Sequence, residues 1–412
     1  LGENASAATL FVEQPTLLAS VSTSIETDWA IVLPIQPIAT ASTAPARALH
    51  SYAEYMDAVA AHSAVPAARA GRGKPPDGGV GEAALLSDGA TAPAVFGRPT
   101  PVGWCSWYCH GPKVSAPLML STIEKLGAAK ASGELPLELV QLDDGWQSCW
   151  GDWLTPHSSR FPEGLYPITA AAKAQGLLAG LWMAPAALTS GSKVMAEHPE
   201  WILKMPNGKP LACGFTAPGI WLYALDVTHP GALDYIRKVI RTAVHDWGFA
   251  YLKLDFLHTA AMPGAARHDP NVSRATALHN LMKAVREEAG EETFILACGA
   301  PLGPCIKHVD GLRVSADAAP SWLPSLVDVY GLRWICNSDR TNLPAARNMV
   351  RNVGVRLPFG GRVWRNDPDC LILREEGGVE FSLGQAQALA SVAALSAGAM
   401  IFSDPPGSLA PP

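Results

Sequence analysis

Residues 228–255, THPGALDYIRKVIRTAVHDWGFAYLKLD, hold one helix and one strand in a form that recurs along most of the chain. Thr228 stands where a cap is needed, and Leu233, Ile236, Ile240, Ala243, Val244 and Trp247 follow at helical spacing on one face. Gly248 ends the helix, and the apolar run Phe249 to Leu254 reads as a strand. That strand closes on Lys253, Leu254 and Asp255, so charge appears where the apolar run stops.

Working outward, seven more short apolar runs fit the same unit: Val102 to Trp107, Leu137 to Leu142, Leu177 to Met183, Thr293 to Ala297, Gly311 to Val314, Arg362 to Arg365, and Ala399 to Phe402. Polar or aromatic loops and amphipathic helices separate them, which is the pattern of repeated βαβ units. The expected fold is α/β, a (β/α)8 TIM barrel preceded by a partial β-rich N-terminal segment. No GxGxxG or Walker sequence stands at a strand-to-helix turn to favour a nucleotide site. Before the barrel, residues 8–40 alternate apolar runs with Pro, Ser and Thr, Ser51 to His62 reads as a helix, and an Ala/Gly/Pro-rich linker runs to Thr100. The expected division is 1–46, 47–100 and 101–412.

Composition narrows the function. The chain has 412 residues, 48% hydrophobic and 17% charged, which suits a large buried core and excludes a disordered chain. A net charge of -6 without a basic stripe gives no handle for nucleic acid or an anionic membrane. None of the eight cysteines forms a CxxC pair, and His258, His268 and His279 lack metal-ligand spacing, so neither metal nor cofactor is expected. Neither a signal peptide nor a membrane-spanning run is read in the sequence.

In a barrel of this kind, chemistry belongs where strands end and loops begin. The expected strands end in acids: Asp143 and Asp144, Asp255, Asp317, and Asp367 with Asp369. Carboxylates around one mouth push their pKa values apart, as a reaction needing both an acid and a nucleophile requires. Trp104, Trp107, Trp146, Trp150, Trp153, Trp182 and Trp221 fall in or beside these loops, and flat apolar faces beside carboxylates suit sugar rings, although any one of them also suits a core. Lys253 shares a strand face with Asp255, which places it either against substrate hydroxyls or, on a second reading, as a Schiff-base lysine. Asp367 and Asp369, in Asn-Asp-Pro-Asp, read as turn carboxylates bonded to backbone amides.

Seven segments carry a resemblance: Val102-Gly-Trp-Cys-Ser-Trp-Tyr, Gln141-Leu-Asp-Asp-Gly-Trp-Gln, Gly151-Asp-Trp, Tyr251-Leu-Lys-Leu-Asp-Phe, Cys298-Gly-Ala-Pro-Leu-Gly, Gly311-Leu-Arg-Val-Ser-Ala-Asp and Asn366-Asp-Pro-Asp-Cys. In this order, the chain from about 101 to 404 resembles glycoside hydrolase family 36, the melibiase-type α-galactosidases. The resemblance implies a retaining enzyme with Asp255 as nucleophile and Asp317 as general acid/base, their carboxyl groups about 5 to 5.5 Å apart. It implies that Asp143 and Asp144 hold the sugar hydroxyls and that Trp182 packs on the ring. Lys253, Arg313, Cys298 and Trp104 complete the expected substrate contacts, with Arg313 either near C2 or holding a carboxylate in place. It also makes residues 1–46 the remnant of a β-sandwich domain. Two segments depart from the family pattern: Ile220-Trp221-Leu222-Tyr223-Ala224 and Ala300-Pro301-Leu302-Gly303-Pro304. The expected partner is a small carbohydrate, an α-galactoside or related α-glycoside, with homo-oligomerisation of the full-length protein left open. Galactosyl transfer, as in raffinose synthases, and a non-catalytic sugar-binding remnant remain open beside hydrolysis.

Overall fold

In the computed structural model, the residues described are 8–13, 16–21, 100–217, 220–324 and 343–407, less 362, 375–377, 381 and 397. Strands β1 (Ala8–Glu13) and β2 (Thr16–Val21) form an antiparallel hairpin. The expected helix from Ser51 to His62, the linker before residue 100 and most of the expected N-terminal segment lie outside the described residues.

From residue 100 the repeated units form one parallel sheet of eight strands: β3 (Gly103–Cys105), β4 (Leu139–Leu142), β5 (Leu178–Met183), β9 (Tyr251–Leu254), β10 (Phe294–Ala297), β11 (Gly311–Arg313), β12 (Arg365–Asp367) and β13 (Ile401–Phe402). The first seven lie side by side in chain order, and β13 returns to pair with β3, Ile401 opposite Gly103. The sheet is curled enough that the Ala399 N–H, just before β13, donates to Asn366 O on β12 at 2.8 Å. Between β5 and β9 the chain inserts a small antiparallel sheet of β6 (Ala187–Thr189), β7 (Gly214–Ala217) and β8 (Ile220–Ala224), ordered β6-β8-β7.

All eight expected strands have counterparts, seven of them shorter by one or two residues at an end, and one strand and one helix cap are displaced. The seventh lies at Arg365–Asp367 rather than 362–365, because Gly361 (φ +74) and a turn at Val363 consume the start of the run. The helix before β9, Pro230–Arg241, is capped by His229, whose Nδ1 accepts from Gly231 N at 3.1 Å, and not by Thr228. Thr228 instead donates its hydroxyl to Asp226 Oδ1, because Pro230 sets the first turn one residue later. The expected apolar face then continues through a π-helical turn, Thr242–Asp246, to Gly248 at φ +84.

Strand side chains alternate between two cores. Leu252, Leu254, Ile295, Val140 and Leu142 join the large cluster with the helices. Leu139, Tyr251, Phe294, Leu296, Cys105 and Ile401 face inward and form a second cluster, with the Tyr251 and Phe294 rings stacked at 5.1 Å. Gly103 and Gly311 leave room for it: a Cβ on Gly103 would lie 2.7 Å from Leu139 Cβ, and one on Gly311 2.9 Å from Leu296 Cδ1. Among the described residues no helix is long and apolar enough to cross a membrane.

One buried ion pair locks helix to sheet. Arg286, in the helix Arg274–Ala289, meets Asp310, just before β11, at 2.5 Å, and its remaining N–H groups donate to the carbonyls of His308, Gly290 and Thr293. Asp310 also accepts Ile295 N at 2.8 Å, so it ties β10 to the same guanidinium. Asp310→Ala strands a buried cation, and unfolding in urea should show a loss of about 3–5 kcal/mol, whereas a surface pair such as Arg237–Glu287 should lose under about 1 kcal/mol when removed.

Candidate active site

The inward parity that builds the second core also aims its next layer at one end of the sheet. Continuing β4 past Leu139 and Gln141 brings Asp143 inward; continuing β9 past Tyr251 and Lys253 brings Asp255; continuing β10 past Phe294 and Leu296 brings Cys298. Arg313 on β11 and Asp367 on β12 share that level, so polar groups gather at the carboxyl ends of the strands.

Asp143 is buried and bonded on every side. Its Oδ2 takes Lys253 Nζ at 2.9 Å, Gln141 Nε2 at 2.7 Å and the Cys105 thiol at 3.3 Å, and its Oδ1 takes Asp144 N at 2.9 Å. Burial alone would lower the Lys253 pKa, but the adjacent Asp143 outweighs it and holds the ammonium well above its ordinary value. Lys253 is therefore a charged partner of Asp143 rather than a Schiff-base amine, and it does not contact Asp255. Asp144 sits nearer the open mouth, with Oδ1 accepting Gln147 Nε2 at 2.6 Å and Trp150 Nε1 at 3.2 Å. Burial raises its pKa to about 6; the Gln147 bond opposes the shift and the Asp143 charge adds to it.

Asp255 accepts Trp182 Nε1 at 3.1 Å on Oδ2 and Phe256 N at 2.7 Å on Oδ1. Phe256 stands at φ +53, a left-handed conformation that a non-glycine residue adopts at a cost of about 1–3 kcal/mol. The turn is held from outside: Trp150 packs edge-on to Phe256 at 5.0 Å and tilts on Trp182 at 5.1 Å. Gly299, at φ +56, lets the neighbouring loop approach, since a Cβ there would lie 3.1 Å from Asp255 Oδ1. Burial, then the Asp255 charge, keeps the Cys298 thiol protonated far above its usual range.

Arg313 faces three carboxylates. Its Nε meets Asp367 at 2.8 Å, Nη2 meets Asp369 at 2.8 Å, and Nη1 reaches Asp317 at 3.3 Å. Asp317 is the most open of the three, with 56% of its side-chain surface exposed to solvent. Desolvation by the surrounding walls, then the charge of Asp369, raise its pKa to about 6 against the pull of Arg313, and Asp255 adds to the rise. Tyr108, which packs behind, donates its hydroxyl to Asp369 Oδ2 at 2.9 Å.

The structure thus gathers Asp143, Asp144, Trp182, Lys253, Asp255, Cys298, Arg313 and Asp317 at one mouth. It does not bring Trp104 there: its even parity on β3 turns it into the large core at 0% exposure, with Nε1 donating to Asp404 O at 2.7 Å. Trp146 and Trp153 are likewise fully buried, while Trp221 lies 54% exposed on β8. Asp152, in the Gly-Asp-Trp segment, is a helix-capping group: it accepts Val194 N and Lys193 N at 3.2 Å and Ser192 Oγ at 2.8 Å. Gln147 and Tyr108 were missed as site residues, although both stand inside the quoted motifs; Tyr108 bonds Asp369, 261 positions away, whereas Gln147 bonds Asp144 three positions before it. Asp367 and Asp369 do accept or order backbone amides as expected, and they also share Arg313. Among the described residues no cluster of three His, Cys, Asp or Glu side chains could hold a metal ion.

Comparisons with known proteins bear on this mouth. A family model described as Melibiase matches residues 120–290. An α-galactosidase of Escherichia coli is 30% identical over 166 residues, covering 38% of this chain and 22% of that protein. An α-galactosidase of Lactobacillus acidophilus is 36% identical over 129 residues, 30% of this chain and 17% of that one. The structure of an α-galactosidase from Thermus thermophilus in complex with stachyose superposes with a TM-score of 0.68 at 31% identity, covering 87% of this chain and 66% of that one. The same enzyme with p-nitrophenyl α-D-galactopyranoside gives a TM-score of 0.66 at 33% identity, covering 77% and 60%. The stretch aligned with the curated relatives spans about a fifth of their length. With the matched segment carrying β4, β5 and β9 and the fold shared across the sheet, this chain belongs to the melibiase-type family, glycoside hydrolase family 36.

Proposed function

We propose that the chain carries the (β/α)8 catalytic barrel of a retaining α-galactosidase, spanning 101–412 and preceded by the segments 1–46 and 47–100. Asp255 is the nucleophile and Asp317 the general acid/base. The observation that carries the reading is the pair itself: two carboxylates at one mouth, close enough to influence each other's charge, in different surroundings. Asp255 is oriented by two N–H donors, one from an indole and one from its own strained turn, which suits attack along a fixed line. Asp317 is half open and its pKa is raised, which suits a group that protonates a leaving oxygen and then takes a proton from water.

Attack by Asp255 on the anomeric carbon, with the Asp317 proton passing to the departing oxygen, gives a glycosyl-enzyme ester. Water then displaces Asp255 as Asp317 accepts its proton, and two inversions give net retention. Asp144 and Asp143, backed by the charged Lys253, accept bonds from sugar hydroxyls, and Trp182 with Trp150 offers apolar faces to the ring. Cys298 lines the floor between the two acids. The complexes of the Thermus enzyme with stachyose and an aryl α-galactoside support an α-galactoside as substrate.

Hydrolysis of p-nitrophenyl α-D-galactopyranoside, followed by NMR, should release the α-anomer first. Asp255→Ala should lower kcat/KM on the order of 10⁴-fold or more. β-Galactose as first product, or an unchanged rate in that variant, ends the proposal. The pH profile follows from the two raised groups. On stachyose, whose leaving group needs a proton, Asp317 must be protonated to act as acid, so kcat/KM should fall about tenfold per pH unit well above pH 6; Asp144 must be ionised to accept bonds, so KM should rise as pH drops below about 6. The two limbs should make a narrow bell centred near pH 6, and a flat profile between about 5 and 8 would contradict the assignments.

A further inference from the structure

We propose that Asp369 is a positioning residue for Asp317, acting through the Ala318 amide and the Arg313 guanidinium, with Tyr108 as its brace. This rests on Asp317 being the acid/base of the preceding reading.

Asp369 is 2% exposed and takes φ +89, a conformation that a non-glycine residue holds only when its surroundings over-determine it. Those surroundings are four donors: Arg313 Nη2 at 2.8 Å and Cys370 N at 2.6 Å on Oδ1, Ala318 N at 2.7 Å and Tyr108 OH at 2.9 Å on Oδ2. A carboxylate offers about four acceptor positions, so none is left for a sugar hydroxyl. The strain therefore serves the neighbours of Asp369, not a ligand.

Two of those neighbours control Asp317. Ala318 N belongs to the peptide that follows Asp317 directly, so the bond fixes the backbone from which the acid projects. Guanidinium is a rigid planar fork, and with Nε held by Asp367 and Nη2 by Asp369, its Nη1 is aimed at Asp317 Oδ1 without freedom to turn. Tyr108 closes the frame: its hydroxyl donates to Asp369 and accepts Ala319 N at 3.4 Å, while its own backbone is pinned by Ser403 Oγ and Arg374. Burial holds the Tyr108 hydroxyl protonated, with Asp369 and Asp317 adding to the effect, so it remains a donor.

The groups that act on Asp317 are Arg313 from β11, Asp369 and Tyr108 behind it, Asp255 and Lys253 from β9, and the neutral Cys298 thiol after β10. Of the charges, Asp369 does most to keep the acid protonated and Arg313 most to oppose it. Neutralising Asp369 removes the first and frees the second to pair more closely with Asp317. Asp369→Asn thus acts on proton affinity as well as on placement.

The test compares two substrates. An aryl galactoside leaves with little need for a proton, whereas stachyose needs one fully. Asp369→Asn should lose on the order of tenfold more kcat/KM on stachyose than on p-nitrophenyl α-D-galactopyranoside, and its basic limb should fall by about one pH unit. Tyr108→Phe, which keeps every charge, should show the same substrate-selective loss. Equal losses on both substrates with an unmoved limb, in a protein whose turnover still depends on Asp255 and Asp317, overturn the positioning role and leave the functional reading intact. Absence of any such turnover in the unaltered chain counts against the functional reading instead. The positioning claim is then still decided by the carbon-13 carboxyl titration of Asp317, assigned with Asp317→Asn: a midpoint lowered in Asp369→Asn supports it, and an unchanged one ends it.

Discussion

A charge brought to the end of an all-parallel sheet has to be paired where it stands, because the layer beneath it is apolar and the helices outside are packed. Here that layer is Tyr251, Phe294, Leu139 and Leu296, and the charges above it are Lys253 and Arg313 with five carboxylates around them. Each cation lies within reach of at least one anion, and neither is free to leave. Removing one member of a buried pair costs far more than the pair contributes, so the set is retained or lost together. What the arrangement yields is less stability than a fixed electrostatic pattern at a mouth that is otherwise lined with indole and thiol.

That pattern sorts the acids by exposure. Asp143, Asp367 and Asp369 are sealed, and Asp369 has donors on all its acceptor positions; Asp144, Asp255 and Asp317 keep surface toward solvent. A saturated carboxylate can orient others but has nothing left to offer a ligand, whereas an open one has free lone pairs and a tunable proton. The chemistry proposed for Asp255 and Asp317 depends on this division as much as on their own positions. The left-handed turn at Phe256, wedged by Trp150 and made possible by the bare Gly299, belongs to the same economy of strain held at the mouth by packing behind it.

Much of this was legible in the chain itself. Strand parity is a property of the backbone, so a period-two reading of residues 251–255 already sets Tyr251, Lys253 and Asp255 on one face and Leu252 and Leu254 on the other. Helix faces are equally local, and the expected stripe from Leu233 to Trp247 packs as read even though its cap moved one residue to His229. Seven motifs in order carried the family. Where the reading slipped, a short-range competitor had intervened: Gly361 delayed β12, Pro230 displaced the cap, and even parity took Trp104 out of the mouth.

The sequence by itself determined the repeating unit, the strands, the acids that end them and the family, because each rests on spacing along one segment. Only the tertiary structure decided who pairs with whom: Lys253 with Asp143 rather than Asp255, Arg313 with three acids at once, Tyr108 with Asp369 across 261 positions. Those choices are made by distance and desolvation between separate strands, and neither quantity exists until the sheet has curled.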